Sequence, residues 1–158
     1  MTKIHPTKEI AMQTWDIWVP FPVSVNAYYN HVNHRTFRSQ RGKLYADACL
    51  IAVRQKFRIP LMLTCNVAAT FVLFPPDKRV RDESNYSKSL WDALSHAPDR
   101  SWHGAGLLLD DRQILRSSGM MGEVVSRKDS CCHVILEECN LPRPTLKEEL
   151  LYYPRSEL

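Results

Sequence analysis

Glycine is scarce in this 158-residue chain, with 5 residues against 10 prolines, which excludes a collagen-like or low-complexity polymer. The 5 cysteines, Cys49, Cys65, Cys131, Cys132 and Cys139, include no CxxC pair and have no histidine at zinc-ligand spacing. An odd set of this kind is neither a disulfide framework nor a zinc module. It reads as reduced, partly buried thiols in a cytoplasmic protein. The stretch Met1 to Ile10 does not read as a secretory signal, because it carries Lys3, Lys8 and Glu9 and no apolar core. The charge-free run from Ile59 to Pro76 has the length of a membrane span but is interrupted by Pro60, Asn66, Pro75 and Pro76. Its β-branched and aromatic stretch, Val67 to Phe74, reads as a buried strand instead. No internal repeat is present, and the length fits one domain with one core.

Acidic residues are unevenly placed. Residues 1 to 136 carry 18 Lys and Arg against 12 Asp and Glu, whereas residues 137 to 158 carry 3 against 5. The basic excess therefore belongs to the domain, around Arg35 to Lys43 and Lys78 to Arg81, where a polyanion can be gripped.

The pattern predicts a polar leader over residues 1–13, a domain over 14–139, and a tail over 140–158 that opens with Pro142 and Pro144. Thr14 to Val19 alternates as a half-buried strand. Ser39 can cap a helix running to about Phe57, whose apolar stripe is read as Leu44, Ala48, Ile51 and Ala52. A strand over 63–74 follows. A second helix starts near Asp82 to Ser84 and runs to about His96, with Tyr86, Leu90, Ala93 and Leu94 inward and Ser84, Lys88, Asp92 and Ser95 on the polar face. Two strands, near 113–118 and 130–137, complete a two-layer α+β domain in which two helices pack on a small mixed β-sheet.

Two stretches can carry chemistry. In Asp77 to Lys88, the cations Lys78, Arg79 and Arg81 precede Asp82 at a helix start, and Lys88 lies one turn beyond Ser84. If Asp110 or Asp111 came close to Asp82, the carboxylates would suit a hard divalent cation, which takes oxygen ligands and supports phosphodiester hydrolysis. On spacing alone, the favoured reading is Asp82 as a helix cap and Asp110-Asp111 as a solvated turn. The second stretch, Ser24 to Lys43, has no acidic residue and interleaves Asn26, Tyr28, Tyr29, His31, His34, Arg35, Arg38, Arg41 and Lys43. Such a loop can hold phosphates and stack on bases. His31 and His34 lack further residues to complete a metal set.

The segment Pro20-Phe21-Pro22-Val23-Ser24-Val25-Asn26-Ala27-Tyr28-Tyr29 resembles the P-x-S-x-N-x-Y-type loop of the RusA family of Holliday junction resolvases. Arg81 to Lys88, then Asp92-Ala93-Leu94, then Asp110-Asp111-Arg112-Gln113-Ile114, is similar in order and spacing to that family's R-D-x-D-N-x-x-K, D-A-L and D-D-x-Q-[IV] blocks. The likeness runs over about residues 14–139. It implies a small α+β homodimer, usually phage- or prophage-encoded, that binds four-way DNA junctions and nicks them with Mg²⁺. Position by position, it implies metal binding by Asp82 and Asp111 with Asp110 beside them, and catalysis by Asp82, Lys88 and Asp111. Residues Asn26, Tyr28, Arg35, Arg38, Lys43, Arg79, Arg81 and Asn85 would contact DNA.

The chain departs from the family pattern at Ser84, where the second aspartate of D-x-D-N would stand. A hydroxyl is a poorer Mg²⁺ ligand than a carboxylate, and the change removes an anionic i, i+4 partner for Lys88. Two readings follow: a Mg²⁺-dependent junction endonuclease, or a junction-binding protein with weak or no cleavage. The loop from His96 to Leu107, with Trp102 and His103, is longer than the pattern and reads as loop decoration.

Overall fold

The computed structural model describes residues 12–58, 61–96 and 104–140. Trp102, His103, the first eleven residues and the tail beyond Asn140 lie outside them. Among the described residues, six strands and three α-helices follow in chain order: β1 (Thr14–Pro20), α1 (Val25–Tyr28), β2 (Tyr29–Val32), β3 (Arg35–Arg38), α2 (Gln40–Phe57), β4 (Val67–Phe74), α3 (Ser84–Leu94), β5 (Ile114–Met121) and β6 (Cys131–Glu138). The main sheet has the order β1-β6-β4-β5, with β4 and β5 parallel and the other pairs antiparallel. This is the expected two-layer α+β class. What the sequence reading treated as a loop contains a separate hairpin of β2 and β3. Its turn residues Asn33 and His34 have φ of 47° and 61°, the left-handed conformations that two-residue hairpin turns require.

Alternation along the strands builds the core. Ile17, Val19, Val67, Ala69, Phe71, Leu73, Cys132, Val134 and Leu136 are buried on the face that meets the helices. From α3 come Leu90, Trp91, Ala93 and Leu94, with the Trp91 ring edge-on to Phe71 at 5.5 Å. Burial pushes the Cys49 thiol up to about 12, so this cysteine is packing material and no nucleophile. Among the described residues, no helix is long and apolar enough to cross a membrane.

Helix α2 begins where Ser39 was expected to cap it, with its hydroxyl accepting from Gly42 N at 3.0 Å. The buried face, however, is Gly42, Tyr45, Ala46, Cys49 and Val53, while Leu44 is 60% and Ile51 56% exposed. Of the expected stripe, Leu44 and Ile51 therefore face outward and Ala48 is half-buried, while Ala52 packs against the core. The helix carries apolar residues on two sides, and a local constraint chooses between them. Ser39 N donates to the Tyr28 carbonyl at 2.8 Å, and Gly42 passes so close that a Cβ there would sit 2.5 Å from the same oxygen. Only glycine permits that approach, and it turns Tyr45 and Cys49 inward.

Gly42→Ala is expected to cost about 1–3 kcal/mol, the range of core overpacking, and to lower the midpoint of urea unfolding with an unchanged m-value. An exposed control, Leu44→Ala, should shift the midpoint much less.

Candidate active site and nucleic-acid interface

The N-terminus of α3 is built by its own sequence. Asp82 Oδ1 accepts from Ser84 N at 3.0 Å, and the Asp82 carbonyl accepts from Asn85 N at 3.1 Å, so Asp82 closes the first turn as a carboxylate at the positive end of the helix. Asp82, Glu83, Ser84 and Asn85 are all exposed. The preceding loop is stapled by Arg81, whose guanidinium pairs with Asp77 at 2.7 Å and donates to the carbonyls of Asp77 and Arg79. Amide donation from Arg79, reinforced by Arg81, holds the Asp77 carboxyl below its ordinary range.

One turn further, Lys88 Nζ lies 3.3 Å from Asp92 Oδ2, an i, i+4 pair in which the carboxylate is 12% exposed and the ammonium 57%. Lys88 therefore has an anionic partner despite Ser84, but on its C-terminal side. Its ammonium also stands 6.0 Å from the centre of the Tyr29 ring. The loop after β1 packs onto the same helix: Ser89 Oγ donates to the Val23 carbonyl at 2.5 Å, and Phe21 meets Tyr86 edge-on at 5.2 Å. The structure thus brings the proline-serine-asparagine loop and the Asp82 to Lys88 block together, with Asn26 exposed beside them.

Asp110 and Asp111 are elsewhere. Asp110 caps a 3₁₀ turn over Asp111–Gln113, and the Arg112 amide, Nε and Nη2 donate to its two oxygens at 2.8, 2.9 and 2.8 Å. Those bonds hold its carboxyl well below the usual carboxylate range, so Asp110 serves first as a cap. Asp111 is exposed. The turn leads into β5, whose first residue pairs with Val67 at the start of β4. Asp82 follows the other end of β4, where Arg81 lies over Phe21 just beyond β1. Helix α3 then runs back, so that His96 N donates to the Leu108 carbonyl at 2.7 Å. Because β4 has 8 residues, its ends are about 23 Å apart at the usual strand rise.

One chain therefore does not bring Asp82 and Asp111 together, and ligand distances of about 2.1 Å leave no way for them to share one Mg²⁺ within it. Consistently, no group of three His, Cys, Asp or Glu residues able to hold a metal is found among the described residues. The expected meeting of Asp82 with Asp110 or Asp111 is corrected on this point.

The expected DNA contacts divide by exposure. Asn26, Arg35, Lys43, Arg79 and Asn85 are exposed. Tyr28 and Arg38 are not: they are 0% and 4% exposed, with the guanidinium carbon 5.3 Å from the Tyr28 ring centre, and burial pushes the Tyr28 phenol up. They brace the base of the hairpin, as Arg81 braces its loop. Two residues escaped sequence reasoning as individuals. Asp92 was placed on the polar face without a task, and Gln113 was only part of a motif. The Gln113 amide donates to the carbonyls of Leu63 and Cys65, both at 2.8 Å, and accepts from the amides of Leu109 and Asp110 at 2.7 and 3.0 Å. The spacing of Gln three residues after Asp110, a capping-box signature, was the available signal.

No family model matches the chain. Over 104 residues, 66% of this chain and 79% of the relative, it is 33% identical to the Crossover junction endodeoxyribonuclease RusA of Escherichia coli strain K12. The crossover junction endodeoxyribonuclease of Enterobacteria phage 82 matches over the same share at 33% identity, and that of Escherichia coli O139:H28 at 31%.

Gln113→Ala strands four backbone groups and is expected to cost about 2 kcal/mol or more, read as a lower thermal midpoint. Asp110→Ala should destabilise at neutral pH. Because the folded-state pKa of Asp110 is depressed, its contribution is present above the unfolded value and lost as pH falls through the folded one. The gap between wild type and variant should therefore narrow in unfolding curves taken below about pH 3.9.

Proposed function

The chain belongs to the RusA family of crossover junction endodeoxyribonucleases, and on that premise we propose that it cuts four-way DNA junctions as a Mg²⁺-dependent homodimer in the cytoplasm. The observation that carries the reading is the meeting of the Pro20 to Tyr29 loop with the Asp82 to Lys88 turn, on stretches of chain that also carry the exposed cations Arg35, Lys43 and Arg79. Phosphate contacts by these cations, with Asn26 and Asn85, hold the backbone in register and make binding salt-dependent.

The separation of Asp82 and Asp111 supports a site shared by two chains. In that reading each chain presents Asp82, Asn85 and Lys88 at one end and Asp111 at the other, and a two-fold axis completes two equal sites for two opposed strands. Both carboxylates are oxygen donors of the kind Mg²⁺ takes, so Asp82 of one copy and Asp111 of a second would hold the ion. When bound, such an ion supplies charge neutralisation at the scissile phosphate and an activated water. The work of the chain itself is to place a fixed cation against developing negative charge. Lys88 does this, steadied by Asp92 from behind, as preorganised charges do in phosphoryl transfer.

Ser84 favours a second reading, tight junction binding with poor cleavage, because the turn offers a hydroxyl where the family pattern has a carboxylate.

A synthetic mobile junction incubated with the folded protein and Mg²⁺ should be nicked, and no nicking at any metal concentration rejects the endonuclease. Ser84→Asp should then raise cleavage about tenfold or more, each 1.4 kcal/mol of added transition-state stabilisation being a factor of ten. A large rise from a nearly silent wild type supports the binding reading. Asp82→Asn and Asp111→Asn should each be inactive, yet mixing the two should restore nicking of one strand. A site confined to one chain predicts no restoration, because neither variant then contains an intact one.

A further inference from the structure

From Asn30 to Phe37 every residue of the β2–β3 hairpin is exposed, although its base, Tyr29 and Arg38, is buried. The register sets Tyr29 opposite Arg38, Asn30 opposite Phe37, His31 opposite Thr36 and Val32 opposite Arg35. Directly opposed residues of an antiparallel pair share a face. One face therefore holds the anchors Tyr29 and Arg38 with His31 and Thr36, whose Nδ1 and Oγ1 are 2.9 Å apart. The other face holds Asn30, Val32, Arg35 and Phe37. There Val32 is 53% and Phe37 43% exposed, and with Asn33 and Arg35 they line an open hollow of about 540 Å³.

An apolar pair on a projecting hairpin is costly to leave in water, and its surroundings say what it suits. No carboxylate occurs between Asp16 and Asp47, while the exposed cations Arg35, Arg41 and Lys43 fall in that interval. An acidic or purely apolar protein surface would match only part of this face. A nucleotide matches all of it, because its base has an apolar π-face and its phosphate is an anion. A duplex keeps its bases stacked, whereas a branch point and a single strand release them.

We propose that this hairpin face is a stacking platform for one unstacked nucleobase of branched DNA. Phe37 stacks under the base, Val32 closes its apolar side, Arg35 takes the adjoining phosphate, and Asn30 faces the base edge. The contact is tolerant of sequence, since every base offers a π-face. This inference rests on the DNA-binding reading above and assigns to the hairpin a role separate from cutting.

The test uses the full chain in EDTA with two probes: a four-way junction carrying 2-aminopurine at successive crossover positions, and a single strand of the same composition. Wild type should raise 2-aminopurine fluorescence at one or two crossover positions and bind the single strand. Phe37→Ala, shown folded by circular dichroism, should lose most of that rise and bind the single strand about 5-fold more weakly or worse. Phe37→Tyr, which keeps a ring, should retain both. If wild type binds the single strand through Phe37 but shows no preference for the junction, the junction reading fails and the platform stands. If Phe37→Ala matches wild type on both probes, or if wild type binds neither, the platform is overturned.

Discussion

The main-chain carbonyl of Tyr28 is the point from which α2, the β2–β3 hairpin and the loop after β1 are hung. It ends α1, accepts the amide that starts the Ser39 cap, and lies so near Gly42 that α2 can pack in one rotation only. The same few residues fix the base of the hairpin, because Tyr28 stands edge-on to Tyr29 at 4.8 Å and under the Arg38 guanidinium. Helix, hairpin and loop are thus oriented together by one close backbone approach. Hydrophobic burial supplies most of the driving force, but it is indifferent to which of two apolar helix faces turns inward, and this steric contact is not.

That indifference explains what could be read from the chain beforehand. Strands with strict alternation, such as Thr14 to Val19, and helices with a single apolar stripe, such as α3, were legible because one pattern excluded the others. In α2 both Leu44-Ala48-Ile51 and Tyr45-Cys49-Val53 satisfy helical spacing, and the decision lies with a residue in another element. The same limit applies to Tyr28, Arg38 and Arg81. Their chemistry fits a phosphate or a base, and only packing shows that it is spent inside the protein.

The motif residues are legible as a set of chemical types, and their grouping is not. Asp82, Lys88 and Asp111 stand in the order of a known pattern, which says nothing about distance in space. The distance follows from topology: β4 and β5 are parallel, and α3 runs back between them in sequence, so a residue before α3 and a residue before β5 must lie at opposite ends of the sheet. Parallel pairing requires such a return crossover, and the crossover separates the carboxylates.

That separation also bears on how dangerous the protein is to its surroundings. A chain that carries all its acids in one cleft can attack any phosphodiester it meets, from the moment it folds. Here each folded copy holds its two acidic parts at opposite ends of the sheet, so under the proposed two-chain site, chemistry that needs both together would be silent in a dilute monomer. On that proposal it would appear with roughly the square of concentration as copies pair. Genomic DNA would then be spared from stray breaks by sheet topology, with no inhibitor required.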